Sequence, residues 1–154
     1  MEVFIPFDGR DEAIPFLEKA LNGWAGVRFA VPSVIQEKPG EMFDLRSRVI
    51  ADNLAKDQFY ILADIDATPE ERYFISDIHK RLATQKSVGM ALIRPVFDLG
   101  GRIRILRKGA IEKWPEPTEK PYDITQAEAV VKAGYTMETW DDIFYRYLPS
   151  PIVH

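Results

Sequence analysis

An unbroken apolar run, Phe59-Tyr60-Ile61-Leu62-Ala63, leads directly into Asp64-Ile65-Asp66, and this junction constrains the fold more than any other part of the chain. A continuous apolar run of this length is typical of a strand that is covered on both faces, as in a parallel sheet. Ligands bind beyond the carboxyl ends of such strands. The sequence therefore predicts an α/β protein with a polar site where this strand ends.

Strand and helix patterns alternate on the N-terminal side of this junction. The expected elements are a strand, a helix that stops at Gly23, a second strand and a second helix, at residues 3–5, 11–22, 27–31 and 42–54. A strand-helix-strand-helix-strand order produces parallel strands joined by right-handed crossovers. The predicted fold class is therefore α/β, with a doubly wound, mixed, mainly parallel sheet and helices on both faces.

A third helix is expected directly after the junction. Thr68-Pro69-Glu70-Glu71 has the form of a capping box with proline at the first helical position. The apolar residues that recur at helical spacing are expected to face inward: Phe74, Ile75, Ile78 and Leu82. His79 lies among polar neighbours near the end of this helix, and we expect it on the surface.

The last third of the chain predicts antiparallel strands and short helices. Strands are expected at residues 88–93 and 102–105, joined by a hairpin turn at Gly100-Gly101. Basic residues alternate with apolar ones here and are expected on a solvated face: Arg102, Arg104, Arg107 and Lys108. The pattern over residues 124–147 predicts two short helices broken at Gly134.

Length, charge and composition narrow the class of protein. A chain of 154 residues has the size of one domain, so a single domain over residues 1–154 is expected. The net charge of −4 gives no reason to expect binding to nucleic acid or to an anionic membrane. The sequence has no cysteine, no signal-peptide pattern and no apolar run long enough to span a membrane, which together favour the cytoplasm.

Asp64 and Asp66 form a candidate metal site. Because side chains alternate along a strand, two carboxylates one residue apart are expected to point to the same side of the sheet, and their charges would repel unless a cation lay nearby. Mg²⁺ and Mn²⁺ prefer oxygen ligands and take one or two protein carboxylates, completing their shell with water and phosphate. The alternative is that both residues only stabilise a turn before Thr68. Spacing alone leaves the two interpretations open.

The context of this motif resembles the central signature of inverting glycosyltransferases of the GT-A fold, in a short form of the nucleotide-diphospho-sugar transferase superfamily. The central residues that match in register are Arg48, Ala55, Lys56, Phe59, Asp64 and Asp66. Ile5-Pro6 and Arg10 are similar to the start of that family. Gly134-Tyr135 and the segment from Trp140-Asp141-Asp142 to Arg146 are similar to its late acidic block.

The resemblance implies a metal-dependent glycosyltransferase that moves a sugar from a nucleotide-diphosphate donor to an acceptor hydroxyl. It implies that Asp66, together with Asp64, binds Mn²⁺ or Mg²⁺. Pro6, Arg48, Asp64 and Asp66 would contact the nucleotide sugar. Asp142, or its neighbour Asp141, would be the general base. The acceptor stays unnamed, a homo-oligomer is left open, and His154 is left open as a further metal ligand.

Two other interpretations remain beside this one. The family carries an acidic turn after its second strand, whereas residues 31–34 here contain no carboxylate, which favours a degenerate, non-catalytic nucleotide-sugar-binding or assembly domain. Asp64-Ile65-Asp66-Ala67-Thr68 also fits the nucleophile motif of haloacid-dehalogenase-type phosphatases. That fold normally begins with the motif strand, whereas two strand-helix units precede it here. The phosphatase is therefore the weaker alternative.

Overall fold

The computed structural model describes residues 1–36, 59–69, 71–95, 103–111 and 122–147. For the strand residues 141–147 it describes the backbone only. The helix expected at residues 42–54 and the turn at Gly100-Gly101 lie outside the described residues, as do Arg48 and His154.

Strands and helices alternate along most of the described chain. The strands are Glu2–Phe7 (β1), Val31–Gln36 (β2), Phe59–Ala63 (β3), Ala67–Thr68 (β4), Val88–Pro95 (β5), Ile103–Arg107 (β6) and Thr136–Tyr147 (β7). The helices are Ile14–Ala25 (α1), Phe74–Thr84 (α2), Lys108–Ile111 (α3) and Tyr122–Lys132 (α4), and a 3-10 turn at Asp11–Ala13 precedes α1.

The described strands form one mixed sheet in the order β2-β1-β3-β6-β5-β7-β4. The pairs β1–β2, β1–β3 and β5–β7 are parallel, whereas β6 runs antiparallel to both β3 and β5. The short strand β4 runs antiparallel to the end of β7. This arrangement confirms the predicted α/β fold with a mixed, mainly parallel sheet.

An apolar core lies on each face of the sheet. On one face, α1 and α2 bury Trp24 and Phe74, whose rings meet edge to face with centroids 5.9 Å apart. On the other face, α4 places Val130 against Tyr60 and Leu106. The central strand contributes to both cores, because its alternate residues point to opposite faces. The predicted covering of both faces is therefore confirmed.

Two boundaries near the second strand differ from the prediction. Helix α1 continues through Gly23 to Ala25, because the helical position of Trp24 lets that ring be fully buried. The strand predicted at residues 27–31 begins only at Val31. The intervening residues form a turn in which Phe29 has a φ of 67°, a value incompatible with a strand.

The helix after the acidic motif begins later than expected. Ala67 and Thr68 pair with β7, so Thr68 belongs to a strand and does not cap a helix. Helix α2 begins at Phe74, and the side chain of the preceding residue, Tyr73, makes no capping hydrogen bond. The inward positions were predicted correctly, since the four apolar residues of α2 are buried: Phe74, Ile75, Ile78 and Leu82.

The segment after Gly134 is a strand, and the second of the two helices predicted there is wrong. Helix α4 ends at Lys132, and Gly134 adopts a φ of 89° that favours glycine. Strand β7 then runs parallel to β5 from Thr136. Its threonines and aromatic residues suit a pleated surface, and their chance recurrence at helical spacing produced the wrong period.

Arg107 is buried, against the prediction of a solvated basic face. Its side chain is only 7% exposed. The guanidinium group donates from Nε to the carbonyl oxygen of Val88 over 2.9 Å, and from a terminal nitrogen to that of Gln85 over 3.3 Å. It also lies 4.1 Å from the ring centroid of Phe59. Arg107 therefore ties the start of β5 to β6 and β3.

Substitution of Gly89 by alanine should destabilise the fold. A Cβ atom at Gly89 would lie 2.6 Å from the Cβ atoms of Ala110 and Tyr135. These two Cβ atoms are bonded directly to the backbone, so they cannot move away by a change of side-chain rotamer. Overpacking of this kind costs about 1–3 kcal/mol. Chemical denaturation should show that loss for Gly89→Ala. Gly26→Ala is the matched control, because its Cβ would meet only a carbonyl oxygen at 3.5 Å. Equal stability of the two variants would contradict the packing assignment.

Candidate functional site

The acidic motif forms a tight turn at the carboxyl end of β3. The strand ends at Ala63, and the amide of Ala67 donates to the carbonyl oxygen of Asp64 over 3.0 Å. Side-chain alternation along a strand therefore does not apply to Asp64 and Asp66. Asp64 is half-buried, whereas Asp66 is only 2% exposed. The turn thus presents one carboxylate partly to solvent and holds the other inside.

The end of β1 lies beside this turn. Phe4 of β1 is paired with Leu62 of β3, the last pair of this ladder, and β1 continues to Phe7. Strand β2 lies on one side of β1 and β3 on the other, so the strand order reverses here. Ligands of open α/β sheets bind at such a reversal. Pro6 and Asp64, two of the residues predicted to contact a nucleotide sugar, therefore lie at the carboxyl ends of neighbouring parallel strands.

The loop after β1 adds an ion pair at the same edge of the sheet. Gly9 turns the chain with a φ of 85°, and the guanidinium group of Arg10 then pairs with the carboxylate of Asp8. The amide of Arg10 also donates to Asp8 Oδ1 over 3.0 Å. Arg10 was predicted only through the resemblance, and Asp8 was not predicted as a site residue. The sequence Asp8-Gly9-Arg10 directly after a predicted strand is the feature from which this ion pair could have been predicted.

Asp141 and Asp142 lie on strand β7, so the helical setting assumed for them is wrong. Trp140 is paired with Ile93 and Phe144 with Arg94, so the residues between them form an irregularity in the β5–β7 ladder. Such a bulge leaves residues out of the regular pairing and bends the strand. Asp142 and Arg146 therefore lie four residues apart along a strand and not one turn apart on a helix.

Strand β7 nevertheless reaches the acidic turn. Arg146 is paired with Thr68 and Tyr147 with Ala67, so the end of β7 lies directly beside β4. Asp142 is four residues from Arg146, which is at most about 14 Å along an extended strand. The late acidic segment and the acidic turn thus belong to one edge of the structure.

The turn supplies donors of the right chemistry for a divalent cation. Asp64 and Asp66 offer hard oxygen ligands within a single turn, and Mg²⁺ or Mn²⁺ needs only one or two carboxylates. Among the residues that the structure describes, no group of three or more metal-binding side chains is gathered. The pair therefore fits an ion that completes its shell with water and phosphate.

His79 is exposed on α2, as the sequence predicts. Its pKa is lowered from 6.5, first because partial burial of the ring disfavours the charged form and second because the N-terminal ammonium group repels a proton. That ammonium group donates to the carbonyl oxygen of Phe29 over 2.6 Å.

Comparison with known proteins identifies the fold. No family model matches the sequence, and no curated protein matches it either. A mannosyltransferase from Pyrobaculum calidifontis, solved with GDP-Man and Mn²⁺, superposes with a TM-score of 0.69 at 14% identity, over 97% of this chain and 57% of that one. TarS residues 1–349 from S. aureus give a TM-score of 0.66 at 13% identity, over 95% and 59% of the two chains.

A smaller enzyme shares the same architecture along nearly its whole length. CMP:2-keto-3-deoxy-manno-octonic acid synthetase, solved with CTP, gives a TM-score of 0.59 at 10% identity, over 96% of this chain and 91% of that one. The chain has the fold of the nucleotide-diphospho-sugar transferases. This fold, with two strands before the strand that leads into the acidic turn, does not support the phosphatase alternative.

The chain spans little more than half of the first two of these structures, 57% and 59% of their lengths. Within the part of the chain that the structure describes, no helix is long and apolar enough to cross a membrane.

The lowered pKa of His79 predicts a loss of stability in acid. The unfolded chain binds a proton at this residue near pH 6.5, before the folded protein does. Stability should therefore fall as the pH drops below that value, and His79→Gln should remove this contribution. Thermal unfolding of both proteins between pH 8 and pH 5 measures the difference. NMR titration should give His79 a pKa below 6.5. An unshifted titration, or parallel pH profiles, would contradict the assignment.

Proposed function

We propose that this chain is the nucleotide-sugar-binding domain of a metal-dependent glycosyltransferase that transfers a sugar to an acceptor hydroxyl. One observation carries the proposal: the turn of Asp64 and Asp66 lies at the carboxyl end of β3, beside the end of β1, where the strand order reverses. Reversal points of this kind bind nucleotides in α/β sheets. The fold and the donor chemistry of the turn agree with this position.

Asp66 and Asp64 hold Mn²⁺ or Mg²⁺ in this proposal. The bound ion offsets the negative charge that develops on the departing diphosphate. Asp64, which is partly exposed, and Pro6 at the end of β1 face the nucleotide side. Arg48 is proposed as a further nucleotide contact from the resemblance alone. Asp142, or Asp141, accepts the proton of the acceptor hydroxyl as that oxygen attacks the anomeric carbon.

The observed second strand weakens the alternative of a degenerate domain. That alternative depends on the absence of a carboxylate in residues 31–34, at the predicted end of the second strand. These residues lie inside β2, which ends at Gln36. The next residue in the sequence is Glu37. The acid-free stretch therefore says nothing about recognition of the base.

The remaining parts of the proposal rest on the sequence. We propose one domain over residues 1–154, located in the cytoplasm, with a homo-oligomer left open. The sugar, base and acceptor are not named. The mannosyltransferase solved with GDP-Man and Mn²⁺ makes GDP-sugars with Mn²⁺ the first donors to test.

The metal assignment predicts a nucleotide-dependent and Mn²⁺-dependent gain in stability. A panel of GDP-, UDP-, CMP- and dTDP-sugars is tested by thermal shift with and without Mn²⁺, because a ligand at 100 times its Kd stabilises by about 2.7 kcal/mol. One donor should raise the Tm only with Mn²⁺. Asp66→Asn should abolish that shift and Asp64→Asn should reduce it. Asparagine is used because Asp66 is buried and alanine would leave a cavity.

Asp77→Asn is the control for these variants, because Asp77 is an exposed carboxylate on α2. It should keep the full shift. If Asp66→Asn responds like Asp77→Asn, the acidic pair only stabilises a turn. A donor-dependent shift without any transfer would favour the degenerate binding domain.

The general-base assignment predicts a loss of transfer without a loss of binding. Asp142→Asn keeps the size of the side chain but removes the proton acceptor, so transfer should fall by about 10²–10⁴-fold while donor affinity stays near that of the wild type. Release of nucleoside diphosphate in the presence of a panel of sugar acceptors measures the rate. A large loss confined to Asp141→Asn would move the role by one residue. Small, equal losses in both variants would contradict it.

A further inference from the structure

Helix α1 approaches the strand after the acidic turn closely at Gly23. A Cβ atom placed on Gly23 would lie 2.8 Å from Thr68 Cγ2, 3.0 Å from its Cβ and 3.3 Å from its Oγ1. The first of these distances is shorter than carbon atoms tolerate, since their optimal separation is about 3.5–4.0 Å. Any larger residue at this position would therefore push Thr68 away from α1.

Backbone conformation does not explain why this residue is a glycine. Gly23 lies inside α1, and the glycines with positive φ in the described residues are Gly9 and Gly134. Alanine is favoured over glycine in the interior of a helix. The glycine therefore works against helix stability, and its close contact with Thr68 is the feature that accounts for it.

Thr68 connects the two acidic parts of the proposed site. It lies two residues after Asp66 and follows Ala67, whose amide closes the turn on Asp64. Its backbone is also paired with Arg146, at the end of the strand that carries Asp141 and Asp142. A shift of Thr68 would therefore move the turn and the end of β7 together.

We propose that Gly23 is a positioning residue: its close contact with Thr68 sets the acidic turn, and the end of β7 with it, in the place that metal binding requires. The inference rests on the proposed function, because it assumes that Asp64 and Asp66 bind the ion. Residues that orient metal ligands without touching the metal change metal affinity by about 10–100-fold when they are replaced.

Gly23→Ala tests this role in the full chain with Mn²⁺ alone as the probe. The free Mn²⁺ signal in electron paramagnetic resonance should report a Kd raised by about 10-fold or more. Amide resonances of residues 64–68 and 146–147 should shift in ¹H–¹⁵N spectra. Gly26→Ala, at the end of the same helix, should leave the Kd and these resonances unchanged. A Cβ atom there would meet only the Gly23 carbonyl oxygen at 3.5 Å.

Rescue distinguishes positioning from general damage. Thr68→Ala removes the two atoms at 2.8 and 3.3 Å and leaves the Cβ atom at 3.0 Å. The double variant Gly23→Ala/Thr68→Ala should therefore regain part of the Mn²⁺ affinity lost in Gly23→Ala, and it should still bind Mn²⁺ more weakly than Thr68→Ala alone because the contact at 3.0 Å remains. If Gly23→Ala does not fold, the double variant carries the test: it should fold and bind Mn²⁺ more weakly than Thr68→Ala.

Two results would overturn the inference if Gly23→Ala folds: a Mn²⁺ Kd equal to that of Gly26→Ala, or no gain in Mn²⁺ affinity when Thr68→Ala is added. If Gly23→Ala does not fold, a double variant with the same Mn²⁺ Kd as Thr68→Ala would overturn it. A wild-type chain that binds no Mn²⁺ would instead contradict the proposed function. The amide shifts of Gly23→Ala would then still show whether the contact holds the turn in place.

Discussion

The position of β3 determines where a site can form in this fold. The strand pairs in parallel with β1 and antiparallel with β6, and it is buried on both faces by cores that share no helix. A strand enclosed in this way cannot shift its register without exposing one of its apolar faces. Its end at Ala63 is therefore fixed, and the turn that follows emerges at a defined place beside β1.

Local patterns were sufficient to predict the central elements. The apolar run of β3 and the inward face of α2 were predicted because each pattern has one period and one interpretation. The predicted ends of helices and strands were wrong where a contact between residues distant in sequence determines them. Trp24 extends α1 past Gly23 to reach Phe74, and pairing with β7 takes Thr68 away from the helix that its sequence favours. Neither partner is near in sequence.

The position of Asp64 and Asp66 at the end of a strand could be predicted from the sequence, but their local conformation could not. An Asp-x-Asp after a buried strand locates the carboxylates at the edge of the sheet, and the structure puts them there. That they lie in a turn, with Asp66 inside and Asp64 partly outside, depends on the burial of Ile65 and Ala67 in the core under α1 and α2. Asp141 and Asp142 lie in a strand because residues 136–147 pair with β5. The composition of this segment indicates a strand, but the recurrence of its aromatic residues at helical spacing led to the prediction of a helix.

The two buried charges among the described residues, Asp66 and Arg107, have different physical roles. Burying a charge is costly, so each must be accounted for. Arg107 donates to two carbonyl oxygens and stacks on Phe59, so its burial joins strands and is explained by the fold. Asp66 is buried in the turn between β3 and β4. Proteins depart from local stability rules mainly at functional sites, and Gly23, a glycine inside a helix next to Thr68, is a second such departure in the same part of the structure.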